Sequence, residues 1–412
     1  MSYEPGMNRR AFLRRSVAGA GIVGASAFGG PAFGTVLGAN DRINLAVIGT
    51  GNRGTYHVKQ LVKMAEKGDA NISLMAVCDV YEPRMKRAVD ISGAKGFLDY
   101  TEVLKITDLD GVVIATPDHW HAKMTIDAMQ AGKDVYVEKP MTLYWEEAKE
   151  VCAVQRRPDR VVQVGVQSAS DDRYWKANEV IRSGGLGKLI WSTAGYYRNR
   201  PGGDWNYRID PDADPKTNLD WKRWLGPAPD RPWDPERYFR FRKFWDYSGG
   251  LATDLLYHSL AHIEIALGPE FPKRVVASGG IYAHHDREVP DTFHVLIDFP
   301  SEHTVALFST QANKTGVREL IRGEEATLSF EGPGVVVEPE EPFKDKRERL
   351  EIARQPRAGH MQNWLQCMRT REKPHMDAET GYKVQVPISL SVRAYREEKV
   401  MRFDPKKQEV VT

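Results

Sequence analysis

Cysteine is scarce: Cys78, Cys152 and Cys367 are the only three in 412 residues. Three scattered thiols exclude a disulfide framework and a cysteine-built metal cluster. Cys78 and Cys152 fall in apolar strand or helix contexts, where a thiol acts as a buried hydrophobe, so no structural disulfide is expected. Net charge is small as well, +2, which removes the electrostatic reason to expect a nucleic-acid partner. The one weakly apolar N-terminal stretch, residues 17–33, is short and rich in glycine, so no stable membrane insertion is expected. Internal repeats are absent, and so is low-complexity sequence beyond the first 39 residues. What is present is a chain 41% hydrophobic and 28% charged, of a length that fits two globular domains.

Residues 1–39 read as a leader. Asn8-Arg9-Arg10-Ala11-Phe12-Leu13-Arg14-Arg15 precedes a Gly/Ala-rich stretch and the small residues Ala25-Ser26-Ala27. A basic, then apolar, then small-residue order marks an export signal, and paired arginines before Phe-Leu resemble the twin-arginine type. The expectation is a client of the twin-arginine export machinery that works in the periplasm or another extracytoplasmic space.

Residues 40–165 read as a nucleotide domain. The apolar run from Ile43 reads as a buried strand. It ends in Gly49-x-Gly51-x-x-Gly54, with Asn52 and Arg53 inside the loop, and a helical pattern follows. Gly49 permits a tight turn, Gly51 lets the backbone approach a pyrophosphate, and Gly54 lets helix and strand pack closely. Asp79, after the predicted strand Ile72–Cys78, can accept from the adenosine ribose hydroxyls and repel a further phosphate. NAD is therefore favoured over NADP, although Arg84 stands close enough to receive a phosphate. Predicted strands at Gly111–Ala115, Asp134–Val137 and Val161–Val164 alternate with helices from about His121 to Ala131 and over Trp145–Gln155, the pattern of a parallel doubly wound sheet. Thr116-Pro117-Asp118-His119-Trp120-His121 and Glu138-Lys139-Pro140 end two of these strands, where the ligand crevice of such a sheet opens. Thr116, Pro117, His119 and His121 are expected along the nicotinamide ribose. Asp118, His119 and His121 are zinc-ligand types, but no distant set completes a site and no metal is expected.

Residues 166–412 read as a second, substrate-binding and oligomerisation domain. A helix is expected at Tyr174–Arg182 and strands at Lys188–Tyr197, Arg274–Ala283, Thr292–Phe299, Thr304–Gln311, Val317–Arg322 and Ala326–Phe330. Alternation of apolar and polar residues indicates an open antiparallel sheet with one solvated or partner-covered face. Two helices are expected in the tail, at His360–Thr370 and Tyr382–Glu398. The segment from Tyr196 to Tyr247 is crowded with aromatics. Trp205, Tyr207 and Arg208 combine rings with hydrogen-bonding groups, which suits the apolar faces and polar rim of a sugar. Asp254, His258 and His262 recur every four residues on a helix and share one face.

Three residues are candidates for the chemistry. Lys139 ends a strand beside the crevice, and Asp254 and His258 stand one turn apart. Oxidation of a hydroxyl needs a group to take its proton as hydride leaves, a task that suits histidine. A lysine ammonium stabilises charge developing on the same oxygen, and a nearby carboxylate orients the histidine or grips a neighbouring hydroxyl. His262 is expected to be structural.

With these motifs in place, the chain from Asp41 to about Val400 resembles the glucose-fructose oxidoreductase / inositol dehydrogenase / rhizopine catabolism (Gfo/Idh/MocA) family. The resemblance rests on Gly49-x-Gly51-x-x-Gly54, Thr116-Pro117-x-His119-x-His121, Glu138-Lys139-Pro140 and Gly249-Gly250-x-x-x-Asp254-x-x-x-His258. It implies an α/β fold: an N-terminal Rossmann dinucleotide-binding domain, then an α/β domain with a large, open, mostly antiparallel sheet that supports homodimers or homotetramers. It also implies Lys139 and His258 as proton-transfer residues, Asp254 as a group that binds or orients substrate, and Glu138 at the nicotinamide site. The family acts mostly on sugars, cyclitols and their derivatives. It includes exported glycosidases that keep NAD and cleave a glycoside by oxidation, elimination, hydration and reduction. Those glycosidases commonly depart from Glu-Lys-Pro, which this chain retains.

Overall fold

The computed structural model describes residues 42–411 apart from Asp69 and Pro158; the leader expected over residues 1–39 lies outside them. The first half alternates strand and helix throughout: β1 (Ile43–Ile48), α1 (Asn52–Glu66), β2 (Ile72–Cys78), α2 (Glu82–Ser92), β3 (Lys95–Phe97), α3 (Tyr100–Leu104), β4 (Gly111–Ile114), α4 (Asp118–Gln130), β5 (Asp134–Glu138), α5 (Trp145–Gln155) and β6 (Val162–Gly165). The six strands form one sheet in the order β3-β2-β1-β4-β5-β6, and every pair is parallel. Strands covered on both faces should be apolar throughout; Val112, Val113, Ile114, Val135 and Val137 accordingly have no exposed surface. The strand order reverses between β1 and β4, and a crevice opens outside their carboxyl ends. α4 starts at Asp118, three residues before the sequence pattern implied, so His119 and His121 are helical.

The second half holds α6 (Asp172–Arg182), β7 (Leu189–Tyr197), the short helices α7 (Trp221–Leu225) and α8 (Pro235–Phe239), a π-helical turn at Ala252–Leu256 and α9 (Tyr257–Leu267). Then come β8 (Arg274–Gly280), β9 (Thr292–Asp298), β10 (Thr304–Thr310), β11 (Leu320–Gly323), β12 (Ala326–Ser329), β13 (Gly334–Pro339) and β14 (Leu350–Ala353). The tail is α10 (His360–Thr370), α11 (Ala378–Glu397), β15 (Met401–Asp404) and β16 (Glu409–Val411). A ten-stranded sheet runs β14-β13-β12-β11-β7-β10-β9-β8-β15-β16. β10 lies parallel to β7, and the other pairs are antiparallel. Its inner face buries Val275, Phe293, Val295, Ile297, Val305 and Leu307 in the core that α9 and α11 share. Among the described residues its outer face is exposed in part: Trp191 is 42% and Leu296 49% exposed.

α10, which lies late in the chain, packs on the first sheet. Its Trp364 ring sits 5.7 Å from Tyr136 of β5, and Met361, Leu365 and Met368 join the core beneath β1. Gly111 makes room for it, since a Cβ there would lie 2.8 Å from Met368 and 3.2 Å from Trp364. All three cysteines are buried free thiols. Among the described residues no helix is long and apolar enough to cross a membrane.

Candidate active site

A cavity of about 910 Å³ runs from the glycine loop to His258. Gly49, Gly51, Asn52, Arg53, Asp79, Thr116, Pro117, His121, Glu138, Lys139, Tyr207, Arg208 and His258 all line it. At one end the loop is shaped by contacts only glycine allows. Gly49 has φ +84°, and a Cβ there would lie 2.8 Å from the Ala115 carbonyl oxygen; one on Gly54 would lie 1.7 Å from the Gly49 oxygen. Gly51 caps α1 without any side-chain hydrogen bond, and the first turn of α1 holds no acidic residue. The free N–H groups and positive helix end suit an anion. Thr116 Oγ1 and Arg53 Nη2 are also buried without a partner, so the residues present fit a dinucleotide. Asp79 accepts from the Thr50 N–H at 2.7 Å and the Tyr81 N–H at 2.9 Å, which fixes its carboxylate beside the loop.

β5 delivers Glu138 and Lys139. Glu138 Oε1 accepts from Arg53 Nε and His57 Nε2, both at 2.7 Å, and from Gln167 Nε2 at 3.2 Å. Burial alone would raise this carboxyl, but His57 and Arg53 outweigh it and hold it down to about 2. His57 and Gln167 were not singled out by sequence; the spacing of four between Arg53 and His57 on α1 was the available signal.

Lys139 crosses to the second domain. Its Nζ donates to the Asp254 carboxylate at 2.8 Å and to the Asp254 carbonyl at 2.5 Å. Arg242 Nε donates to the same carboxylate oxygen at 2.9 Å, and Trp205 Nε1 donates to the other at 2.9 Å. Burial pushes Asp254 up, yet Lys139 and Arg242 dominate and keep it ionised far below the usual carboxylate range. Asp254 sits in the π-helical turn, a local widening frequent at functional sites. The regular helical face expected for Asp254 and His258 is thus interrupted between them. His258 opens α9. Burial, and then the charges of Lys139 and His262, push it well below the ordinary histidine value. Its neutral form is therefore favoured, in the field of the Lys139 ammonium. His262 bonds Ser168 and stacks on Tyr174 at 4.4 Å, away from the cavity.

Other predicted residues are placed differently. Trp205, read as a sugar platform, is 3% exposed; it stands behind Asp254 and holds it. Its φ is +70°, in the left-handed region. His119 is buried with Nε2 3.1 Å from the Trp224 carbonyl, and burial lowers it to about 4. Its ring faces the aromatic core instead of the cavity. His121 ties the ends of β4 and β5 together, with ring nitrogens 2.9 Å from the Thr116 carbonyl and 2.6 Å from that of Pro140. Asp118 accepts from the hydroxyls of Ser248 and Thr253.

Most of the aromatics of residues 201–247 form a separate core. Trp221 and Trp224 stack at 4.8 Å, and Tyr238, Phe239 and Tyr247 join Tyr81 of the first domain. This insert clasps the start of α2. Glu82 N–H donates to Asn218, and Asp220 N–H to Val80, at 2.9 and 3.0 Å. Tyr81 Oη donates to Asp210 at 2.8 Å, and Arg84 Nη1 to Tyr238 Oη at 3.2 Å. Arg242 and this clasp escaped the sequence reading because nothing periodic marks them.

Comparison with known proteins agrees with the geometry. Residues 43–166 match the Gfo/Idh/MocA model described as oxidoreductase family, NAD-binding Rossmann fold, and residues 203–412 match its C-terminal alpha/beta domain. A scyllo-inositol 2-dehydrogenase (NAD(+)) of Bacillus subtilis is 34% identical over 151 residues, 36% of this chain and 43% of that protein. An alpha-N-acetylgalactosaminidase of Shewanella oneidensis is 30% identical over 164 residues, 37% of this chain and 35% of that protein. The chain thus spans less than half the length of the curated relatives it matches. The WlbA dehydrogenase of Bordetella pertussis, solved with NADH and UDP-GlcNAcA, shares the fold at a TM-score of 0.66 and 20% identity, over 88% of this chain and 99% of that one. A levoglucosan dehydrogenase, solved with NADH and levoglucosan, does so at 0.66 and 18%, over 88% and 99%. The protein belongs to the Gfo/Idh/MocA family of NAD-binding oxidoreductases.

Proposed function

We propose that the protein oxidises or reduces a hydroxyl/keto group of a sugar, cyclitol or glycoside, with NAD in preference to NADP, held tightly. The observation that carries this reading is the meeting of Lys139, Arg242 and Trp205 on Asp254, beside His258 and in one cavity with the glycine loop. Bound NAD supplies the hydride acceptor. His258, neutral and facing the cavity, takes the hydroxyl proton. Lys139, held by Asp254, stabilises the alkoxide-like oxygen. Asp254 keeps Lys139 in place. Tyr207 and Arg208 line the cavity as candidate substrate contacts.

The proposed compartment and the structure both support tight retention. An exported enzyme has no obvious NAD pool, so it must keep its nucleotide and alternate between an oxidisable and a reducible substrate, or return the hydride to the same molecule. The clasp of residues 201–247 on Tyr81 and Glu82 supports retention. We propose export through the twin-arginine leader, and a homodimer or homotetramer. The relative named as an alpha-N-acetylgalactosaminidase favours a second reading, redox-neutral glycoside hydrolysis by oxidation, elimination, hydration and reduction. Retained Glu138-Lys139-Pro140 favours the oxidoreductase.

The test uses protein folded and purified from cells. Retained nucleotide is identified by mass spectrometry, then free sugars and aryl glycosides are added without external NAD. Lasting NADH absorbance supports the oxidoreductase; catalytic release of aglycone with no lasting NADH supports the glycosidase; retained NADP overturns the cofactor assignment. Lys139→Ala should lower turnover roughly 10²-fold or more with nucleotide still bound, and wild-type turnover would sink its role.

A further inference from the structure

Glu138 is held more elaborately than a cavity-lining carboxylate requires. All three of its donors, Arg53, His57 and Gln167, converge on Oε1. Oε2 holds no hydrogen bond among the described residues, and Glu138 lines the cavity. An ionised carboxylate only accepts, so His57 donates through Nε2; its Nδ1 is buried without a partner. The His57 ring is 1% exposed and set edge-on between Tyr56 and Tyr136, at 5.6 and 5.3 Å. Among the described residues the one hydrogen bond of this buried ring goes to Glu138. Gly165 on β6 completes the box: a Cβ there would lie 2.9 Å from Glu138 Cδ and 3.0 Å from Oε2.

We infer that His57, with Arg53, is a positioning residue that fixes Glu138 with Oε1 occupied, so that Oε2 serves the cavity as an anionic acceptor for a donor group of the bound dinucleotide. The inference rests on the oxidoreductase reading proposed above. It also links two ends of the site. Arg53 and His57 stand one turn apart on α1, whose N-terminus forms the anion cradle, so one helix orders both the cradle and the carboxylate at the reactive end.

The groups facing Glu138 set the expected pH behaviour. They are Arg53 and His57 from α1, Tyr136 from its own strand, and His258 and His360 from α9 and α10, with Lys139 next in the chain. With His57 present the carboxyl stays ionised down to about pH 2. Without it, one of the two groups that hold the carboxyl down is lost and burial gains ground, so the carboxyl rises and takes up a proton more readily at pH 5 than in the wild type. A neutral carboxyl is the weaker acceptor.

The experiment follows NADH release from the loaded full-length chain, by fluorescence, at pH 5 and pH 8 and without sugar. Wild type should release at rates within about threefold of each other, whereas His57→Leu should release about 10-fold or more faster at pH 5 than at pH 8. His57→Gln, which restores a neutral donor, should return toward wild type. A wild-type pH ratio in His57→Leu overturns the inference. Should His57→Leu fail to fold, Gly165→Ala, which crowds Oε2, takes its place: faster release at both pH values supports the inference, and wild-type rates in Gly165→Ala overturn it. A chain with pH-sensitive release in His57→Leu that oxidises no sugar keeps the inference and defeats the sugar reading. A wild type that binds no NADH defeats both.

Discussion

His258 and Asp254 illustrate how burial and neighbouring charge together decide chemistry at single residues. Burial and the Lys139 charge depress His258, so its neutral, proton-accepting form persists as pH falls through the ordinary histidine range. The acid limb of kcat/KM for oxidation should therefore lie well below pH 6.5. A pH–rate profile with a limb near 6.5 would contradict His258 as the base. Asp254 answers two cations, Lys139 at 2.8 Å and Arg242 at 2.9 Å. Removing one member of a buried pair leaves the others uncompensated, so Asp254→Ala should lose about 3–5 kcal/mol in urea unfolding. A loss below about 1 kcal/mol would mean that water screens the cluster as at a surface pair. Lys139, Asp254 and His258 were readable from residue type and spacing. Arg242 was not, because it lies in an irregular segment and reaches Asp254 only through the fold.

Among the elements, the insert of residues 201–247 departs furthest from its sequence reading. Rings beside polar groups read as a sugar site. In the fold most of these rings bury one another and present Asp210 and Tyr238 to the first domain. A hydrogen bond to a charged group contributes about 1.5–3 kcal/mol. Tyr81→Phe should thus speed nucleotide release by on the order of 10-fold or more, if the clasp must open first. Stopped-flow release on the loaded protein checks this, and an unchanged rate would mean the nucleotide leaves by another route. The strands show where periodicity suffices. β7 to β12 lie within a few residues of their expected spans. β3 and β13 to β16 escaped notice because runs of three to six residues near a sheet edge, often with charges between, carry too little alternation.

At the scale of the whole molecule, part of the outer face of the ten-stranded sheet is exposed among the described residues. Trp191 and Leu296 stand there at 42% and 49% exposure, and Phe308 faces His294 across β9 and β10. The proposed homo-oligomer would bury this surface. Leu296→Glu should shift the protein to monomer in sedimentation velocity. A wild type that is already monomeric would refute the proposed oligomer, and an oligomer untouched by Leu296→Glu would place the interface elsewhere.

The sequence by itself determined the fold class, the glycine loop and the strand ends that carry Glu138 and Lys139. These are local: periodicity sets the elements, and a turn needing φ above zero demands glycine at Gly49. Tertiary structure alone decided that Trp205 braces Asp254, that His119 faces the aromatic core, that α10 returns to the first sheet and that His57 grips Glu138. Each of these joins residues far apart in the chain, and only packing, which excludes water and forces every buried polar group to find a partner, selects which of the possible partners meet.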